Sequence, residues 1–431
     1  MKKTNEMKCG LIGKPLGHSY SPQIHSYLSN YDYKLIELDE DEVGAYIKGN
    51  DYDALNVTIP YKKTVMQYLD TISQEALRIG SVNTVTRLSD GRLKGDNTDY
   101  YGFSYMLDKG GIDLGGKKVL ILGSGGASMT ARTVAADRGA REIVIISRHG
   151  KDNYDNIDTH SDCDIIINTT PVGMFPHNGE SPVSLDCFPK LSGVIDMIYN
   201  PSKTALILQA EEKGISCISG LCMLVAQAKA ASELFTGEQI DSRIIDKITS
   251  LIEFETKNII LIGMPGVGKT TNGKLIAEKL SRKFIDIDEE IVKLSGTSIP
   301  TIFAEHGEDY FRELEHNVLS DYSKMSGFVI SCGGGVITRH NNYGLMKQNS
   351  TVVFLKRDIS SLPKDGRPVS LANDLNVLYE KRLPLYEKAA DIVYDMHGGP
   401  DENSSEIIEI LKKLPMAIFP TSFKLSTEVY T

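Results

Sequence analysis

Short apolar runs recur along this chain, each ending in glycine or polar residues and passing into stretches whose apolar positions fall three and four apart. That is the pattern of strand–turn–helix units. Two stand out: KKVLILGSGGASMTARTVAADRGAREIVIIS (117–147) and NIILIGMPGVGKTTNGKLIAEKL (258–280). Their helices are marked by Ala131, Val134 and Ala135 in the first and by Leu275, Ile276 and Leu280 in the second. Upstream, residues 8–100 alternate strand-like YKLIEL and ALNVTI with helical stretches such as 67–79. Downstream of the first unit, CDIIINTT and GVIDMIY read as two further buried strands, followed by an Ala-rich helix over 223–235. Strands alternating with helices predict an α/β fold with parallel sheets. Residues 237–257 read as a last helix a few residues before the next strand. No Gly/Ser- or Pro-rich linker intervenes, so the two halves are expected to be joined closely rather than loosely tethered.

Composition narrows the class. A chain of 431 residues corresponds to about three domains at roughly 150 residues each. With 41% hydrophobic and 24% charged residues, it is expected to be globular, which excludes disordered, collagen-like and coiled-coil proteins. No apolar run reaches the ~18 residues of a membrane span, and the first ten residues lack a signal-peptide core or cleavage site. Six cysteines without a CxxC pair suggest neither a disulfide framework nor a zinc site. The expected location is the cytoplasm. A net charge of −10 opposes bulk attraction to nucleic acid or anionic membrane, so any phosphate must be held locally. The histidines, His306 among them, show no metal-ligand spacing and read as structural or solvated.

The turn Gly123, Ser124, Gly125, Gly126, Ala127 is a variant of GxGxxG between a strand and a helix. Glycines there permit a tight turn and close approach to a pyrophosphate, which the helix N-terminus favours. A second strand ends at Ser147 and Arg148. An acidic residue at that place suits an NAD ribose and an arginine suits a 2′-phosphate, so NADP is expected. A solvated loop arginine is the alternative.

Seven further motifs occur in order: GKPLGHSYSPQIHSYL (13–28), NVTIPYKK (56–63), SVNTV (81–85), GDNTDYYG (95–102), NTTPVGM (168–174), DMIYNP (196–201) and GLCMLVAQA (220–228). The set resembles shikimate dehydrogenase over residues 8–250. Ketone reduction by hydride transfer needs a proton donor at the developing alkoxide, and an amine held beside a carboxylate supplies one. The resemblance implies Lys62 as that donor, with Asp99 as its partner and a hydroxyl acceptor. It implies Ser19 and Ser21 at the substrate carboxylate, and Thr58, Asn83, Tyr199 and Gln227 as hydroxyl and ring contacts. Met197 and Gly220 fall where the family approaches the nicotinamide. Serine rather than threonine at 21 favours shikimate over quinate. The strand end SRHGK departs from the family's Asn-Arg-Thr pattern followed by another arginine, so that Arg148 is kept and Lys151 stands in for the second cation.

The second unit satisfies GxxxxGK[ST] in full through Gly263, Gly266, Val267, Gly268, Lys269 and Thr270, with Thr271 next. In such a P-loop, backbone N–H groups cradle phosphates, Lys269 reaches the β/γ-phosphates and Thr270 ligates Mg²⁺, which predicts ATP or GTP binding. Asp286 and Asp288 sit two apart at a predicted strand end, where side chains of like parity share one side. FIDIDEEI (284–291), FRELE (311–315), CGGGVI (332–337), GRP (366–368) and KRLPLYEKAAD (381–391) together resemble shikimate kinase over 258 to about 413. By that resemblance Asp286 takes the Mg²⁺ side, and Asp288 takes the substrate hydroxyl as base. Arg312 and Arg382 grip the acid's carboxylate, Gly333, Gly334 and Gly335 let backbone approach its ring, and Arg367 is the lid arginine on ATP. Lone helical arginines amid glutamates are otherwise i,i+4 partners.

The resemblances imply a two-domain dehydrogenase-like unit, with an α/β substrate domain (1–101 and 219–250) and a Rossmann NADP domain (102–218). A P-loop kinase domain with a parallel sheet follows (257–415), then a tail (416–431). They imply consecutive reactions of aromatic amino-acid biosynthesis: 3-dehydroshikimate reduced to shikimate with NADPH, and shikimate phosphorylated by ATP with Mg²⁺. The alternatives are a quinate/shikimate dehydrogenase fused to another small-metabolite kinase, or a regulatory protein with one inactive half. Small molecules, not nucleic acid or membrane, are the expected partners.

Overall fold

The computed structural model describes residues 3–17, 19–362 and 375–413. They form two compact units, which divide between Thr249 and Ser250.

The first unit holds two sheets. One is built from β1 (Lys8–Gly13), β2 (Asp32–Glu37), β3 (Ala54–Val57), β4 (Thr71–Ile72), β5 (Thr84–Arg87) and β6 (Leu93–Asp96), in the order β2-β1-β3-β5-β6-β4. The expectation of parallel pairing fails here: β5 runs antiparallel to both β3 and β6. An Asp90–Gly91 turn makes β5 and β6 a hairpin, with Leu88 N donating to Arg92 O at 2.8 Å and Gly91 at φ 88°. Residues 67–79 are not one helix either. A 3₁₀ turn Thr64–Tyr68 gives way to β4, and a helix, Gln74–Ile79, starts only after Ser73, whose hydroxyl caps Ala76 N. Asp70 takes the amide of Leu93 at 2.7 Å, which pulls the chain onto the sheet edge.

The second sheet contains β7 (Lys118–Leu122), β8 (Glu142–Ile146), β9 (Ile165–Asn168), β10 (Gly193–Asp196) and β11 (Ser216–Ser219), all parallel, in the order β11-β10-β9-β7-β8. The chain leaves β7 to one side and later returns to the other, so a switch point lies at the carboxyl ends of β7 and β9, where open α/β sheets take their ligands. Every residue of β7, β9 and β10 is buried, as in a parallel sheet covered on both faces. The helices Asp99–Gly110 and Leu221–Thr236 pack on each other. Gly102 permits it, since a Cβ there would fall 2.7 Å from Met223 O.

The helix Arg243–Thr256 leads to the second unit. There β12 (Asn258–Ile262), β13 (Lys283–Asp286), β14 (Phe328–Ser331), β15 (Ser350–Lys356) and β16 (Ile392–Asp395) form a parallel sheet in the order β13-β14-β12-β15-β16. β12 is buried throughout at the centre of one large core.

Candidate active sites

In the first unit Lys62 Nζ donates to Asp99 Oδ2 at 2.7 Å. The side chains are 25% and 10% exposed, so one edge of the ion pair meets solvent. Asp99 opens its helix, and its amide donates to Asn97 Oδ1 at 3.0 Å. Asn97 in turn donates to Ser81 O at 2.9 Å. Asn83 is buried beside them, and its Oδ1 receives Thr98 N (2.8 Å), Thr98 Oγ1 (3.2 Å) and Thr84 Oγ1 (2.9 Å). Lys62 and Asp99 are therefore set by one chain of hydrogen bonds and Asn83 by a second, on the adjoining residues Thr98 and Thr84.

Ser21 opens the helix Ser21–Leu28, and its amide donates to Ser19 Oγ at 3.2 Å. The rings of Tyr20 and Tyr199 lie 5.6 Å apart, which brings the first loop against the end of the second sheet. Thr58 follows β3, and its methyl occupies the space a Cβ on Gly13 would need, 2.4 Å away. Gln227 sits on the helix Leu221–Thr236, against Gly102. Met197 and Gly220 meet backbone to backbone, a Cβ on Gly220 falling 2.2 Å from Met197 O.

At the carboxyl end of β7, Gly123 adopts φ 105° beside Thr169. Ser124, Gly125 and Gly126 are exposed, and a Cβ at either of the last two would meet open space. The helix Gly126–Asp137 begins there, through Ala127, without a side-chain cap. Uncapped N–H groups behind an open glycine turn fit a pyrophosphate. Arg148 is exposed after β8, as is Lys151, and Ser147 N donates to Asp152 O at 3.2 Å.

In the second unit a cavity of about 610 Å³ is lined by P-loop residues together with Asp286, Asp288, Arg312, Gly333, Gly334, Gly335 and Arg382. Gly266, Gly268, Lys269, Thr270 and Thr271 face it. Val267 does not, because its side chain is buried in the core. Lys269 Nζ donates to the carbonyls of Gly263 (2.9 Å) and Met264 (3.0 Å). The helix Lys269–Lys279 starts behind Gly268, at φ 104°, with no side-chain cap. Thr270 Oγ1 donates to Asp286 Oδ2 at 2.7 Å, so two hard oxygens meet where a Mg²⁺ would suit them.

The strand-parity argument for the aspartates does not hold. Asp286 ends β13 and caps the next helix, its Oδ1 accepting from Asp288 N at 3.1 Å, while Asp288 already lies in that helix, Ile287–Ser295. The two still share the cavity, because the chain turns at Ile287.

Arg312 and Arg382 are helical and buried. Arg312 makes the ordinary helical pairs, to Glu308 at 2.9 Å and Glu315 at 2.8 Å. The glycine run accommodates the protein's own groups: a Cβ on Gly335 would fall 2.1 Å from Arg312 Nη2, one on Gly334 2.7 Å from Pro265, and one on Gly333 2.4 Å from Glu315 Oε1. Tyr386 donates its hydroxyl to Gly334 O.

Sequence reasoning missed Glu315. It is fully buried, and burial pushes its carboxyl up to about 7 against the pull of Arg312. Its signal was its place in FRELE, three residues after Arg312 on one helix face. Arg367 and the tail 416–431 lie outside the described residues. Elsewhere His397, Glu402 and Glu406 form an exposed group with ligand atoms within 4.8 Å of one another, which an ion pair of 3.3 Å between His397 and Glu406 accounts for. Among the described residues, no helix is long and apolar enough to cross a membrane.

Comparison with known proteins bears on both units. The family profile described as shikimate dehydrogenase substrate binding domain matches residues 11–85, and that described as shikimate kinase matches 265–412. A shikimate dehydrogenase (NADP(+)) of Clostridium beijerinckii is 38% identical over 267 residues, covering 58% of this chain and 98% of the relative. One of Methanosphaera stadtmanae is 35% identical, covering 53% and 91%. Among solved structures, a chorismate mutase/shikimate 5-dehydrogenase fusion protein from Clostridium acetobutylicum superposes with a TM-score of 0.55 at 36% identity, covering 57% of this chain and 97% of that one. Shikimate 5-dehydrogenase from Thermus thermophilus, in complex with NADP(H) and shikimate, gives 0.52 at 28% identity, covering 56% and 98%.

Proposed function

The chain belongs to the shikimate dehydrogenase family through its first unit and carries a shikimate kinase domain in its second, and on that premise we propose that it catalyses two consecutive steps on one small acid. The first unit reduces 3-dehydroshikimate to shikimate with NADPH, and the second phosphorylates shikimate with ATP and Mg²⁺. The observation that carries this reading is the presence, on one chain, of a partly open Lys62–Asp99 pair, an open glycine turn at a helix N-terminus, and a P-loop cavity holding two buried arginines.

When bound, NADPH supplies the hydride. Lys62 donates a proton to the substrate oxygen as it becomes an alkoxide, and Asp99 directs the ammonium while accepting from a ring hydroxyl. Ser19 and Ser21 offer hydroxyls to the carboxylate. Thr58, Asn83, Tyr199 and Gln227 contact the hydroxyls and ring. Gly123, Ser124, Gly125, Gly126 and Ala127 would receive the pyrophosphate, and Arg148 with Ser147 would receive the 2′-phosphate.

When bound, ATP supplies the phosphoryl group and Mg²⁺ neutralises its charge. Lys269, which now donates to the carbonyls of Gly263 and Met264, would hold the phosphate oxygens, and Thr270 and Asp286 would hold the metal. Asp288 accepts the proton of the attacking hydroxyl, and Arg312 and Arg382 clamp the carboxylate. The domains 1–101 with 219–250, 102–218 and 257–415 are proposed as the working divisions.

The test is purified chain with 3-dehydroshikimate, NADPH and ATP·Mg. Loss of absorbance at 340 nm accompanied by ADP formation is expected. Reduction with no ADP rejects the kinase assignment, and faster NADP⁺ reduction with quinate than with shikimate rejects the substrate.

A further inference from the structure

At the carboxyl end of β10 stands a buried carboxylate that the reaction scheme above does not use. Asp196 is 0% exposed. Its Oδ1 accepts from Asn168 Nδ2 and from Ile198 N, each at 3.0 Å, and its Oδ2 accepts from Thr204 Oγ1 at 2.6 Å. All three partners are neutral. An anion taken wholly out of water and held by dipoles alone is an expensive choice, which an amide or an apolar residue would avoid if only packing mattered.

Its partners show what the carboxylate holds. Asn168 ends β9; its backbone carbonyl accepts Met197 N at 3.1 Å, and its side-chain oxygen accepts both Thr170 N (3.0 Å) and Thr170 Oγ1 (2.7 Å). Neighbouring Thr169 donates its hydroxyl to Leu122 O at 2.6 Å, and that same hydroxyl would lie 2.8 Å from a Cβ on Gly123 in the phosphate turn. On the other side, Ile198 O accepts Gly220 N at 3.0 Å, which presses Gly220 onto Met197. One side chain thus joins the ends of β9 and β10 to Thr204, which caps the helix Ala205–Glu212, and through the Ile198 backbone it bears on Gly220 at the start of the helix Leu221–Thr236. These elements frame the crevice at the sheet's switch point, where the dinucleotide's reactive ring must rest if the first unit transfers hydride.

We propose that Asp196 is a positioning residue of the dehydrogenase, which fixes the Met197–Gly220 backbone as the rigid wall against which the nicotinamide is held for hydride transfer. The inference rests on the assignment of NADP-dependent chemistry to this unit. A hydride donor displaced by a fraction of an ångström still binds but reacts slowly, so the effect falls on turnover rather than on substrate affinity.

Two variants test it, each assayed for shikimate oxidation with NADP⁺ and for the deuterium isotope effect with shikimate labelled at the hydride carbon. Asp196→Asn keeps the size and the Oδ1 acceptor but presents an amide to the Thr204 hydroxyl. Its kcat is expected to fall about tenfold, with shikimate KM within about twofold and a larger isotope effect, as hydride transfer becomes more rate-limiting. Thr204→Val leaves the carboxylate and its other two bonds, and is expected to lower kcat about threefold in the same direction. Kinase turnover on added shikimate counts the chain, and the urea transition of the first unit followed by circular dichroism shows that this unit is folded. A folded Asp196→Asn protein with wild-type kcat and isotope effect overturns the proposal. If that variant does not fold, a Thr204→Val protein indistinguishable from wild type overturns it. Wild-type chain that fails to reduce NADP⁺ with shikimate would instead defeat the assignment on which the proposal rests.

Discussion

Replacing Lys62 with methionine removes the ammonium while keeping the length and most of the volume of the side chain. Two costs follow, and they differ in size. The first is to stability: Lys62 and Asp99 are 25% and 10% exposed and 2.7 Å apart, so losing the pair costs about 1–3 kcal/mol. That is a minor part of the roughly 5–15 kcal/mol that holds a domain together, so the fold survives. The second cost is to the barrier. A positioned proton donor is worth about 10²–10⁴ in rate, or about 3–5 kcal/mol. The assay is NADPH oxidation at 340 nm with 3-dehydroshikimate at saturating concentrations. Reduction should fall at least a hundredfold, while phosphorylation of added shikimate by the same preparation is unchanged. Retention of more than a tenth of the wild-type kcat would refute the proton-donor role and leave the pair as a structural ion pair. Parallel loss of both activities would refute the independence of the two sites.

Gly335→Ala places a methyl 2.1 Å from the Arg312 guanidinium at a backbone φ of −102° that alanine tolerates; the displaced fork should raise the kinase KM for shikimate by about 10–100-fold, and an unchanged KM would mean that Arg312 does not hold the acid. Asp286→Asn, which loses the charge facing Thr270, should lower kinase kcat at least about a hundredfold and raise the Mg²⁺ requirement, with dehydrogenase activity as the internal control. Arg148→Ala should raise KM for NADPH about tenfold and leave KM for NADH unchanged; equal changes for both cofactors would contradict a 2′-phosphate contact. Burial raises Asp196 from 3.8 to about 6, so the folded chain holds that proton the more tightly. The resulting contribution to stability, about 3 kcal/mol, is complete below pH ~3.8 and is lost as pH rises through 6. Urea midpoints of the first unit between pH 4 and 7 should therefore fall relative to those of Asp196→Asn as pH rises, and parallel curves would contradict the assignment.

Legibility in the sequence followed the range of the interactions. The P-loop and the dinucleotide turn were readable because their chemistry is backbone chemistry, written in consecutive glycines between an apolar run and a helix. Lys62 and Asp99 are 37 positions apart, and no local period connects them; only the family resemblance placed them together, and the ion pair closes over that distance. Local rules failed where one element gave way to another. Strand parity misjudged Asp288, because the chain had already turned into a helix. Apolar spacing over 67–79 concealed a two-residue strand that exists only through its pairing with β6. The expectation of parallel pairing missed the β5–β6 hairpin, whose Asp90–Gly91 turn is the local signal that went unused. Glu315 shows the other limit: its spacing from Arg312 was visible, but a glutamate three residues from an arginine reads as a surface pair until burial is known.

The central claim is that one chain owns two sites for the same acid. Calorimetric titration of the intact protein with shikimate, in the presence of NADP⁺ and a non-hydrolysable ATP analogue with Mg²⁺, tests it most directly. The account predicts two molecules bound per chain, with Lys62→Met retaining both and Gly335→Ala weakening one. A stoichiometry of one in the wild-type chain, with both nucleotides bound, would contradict it.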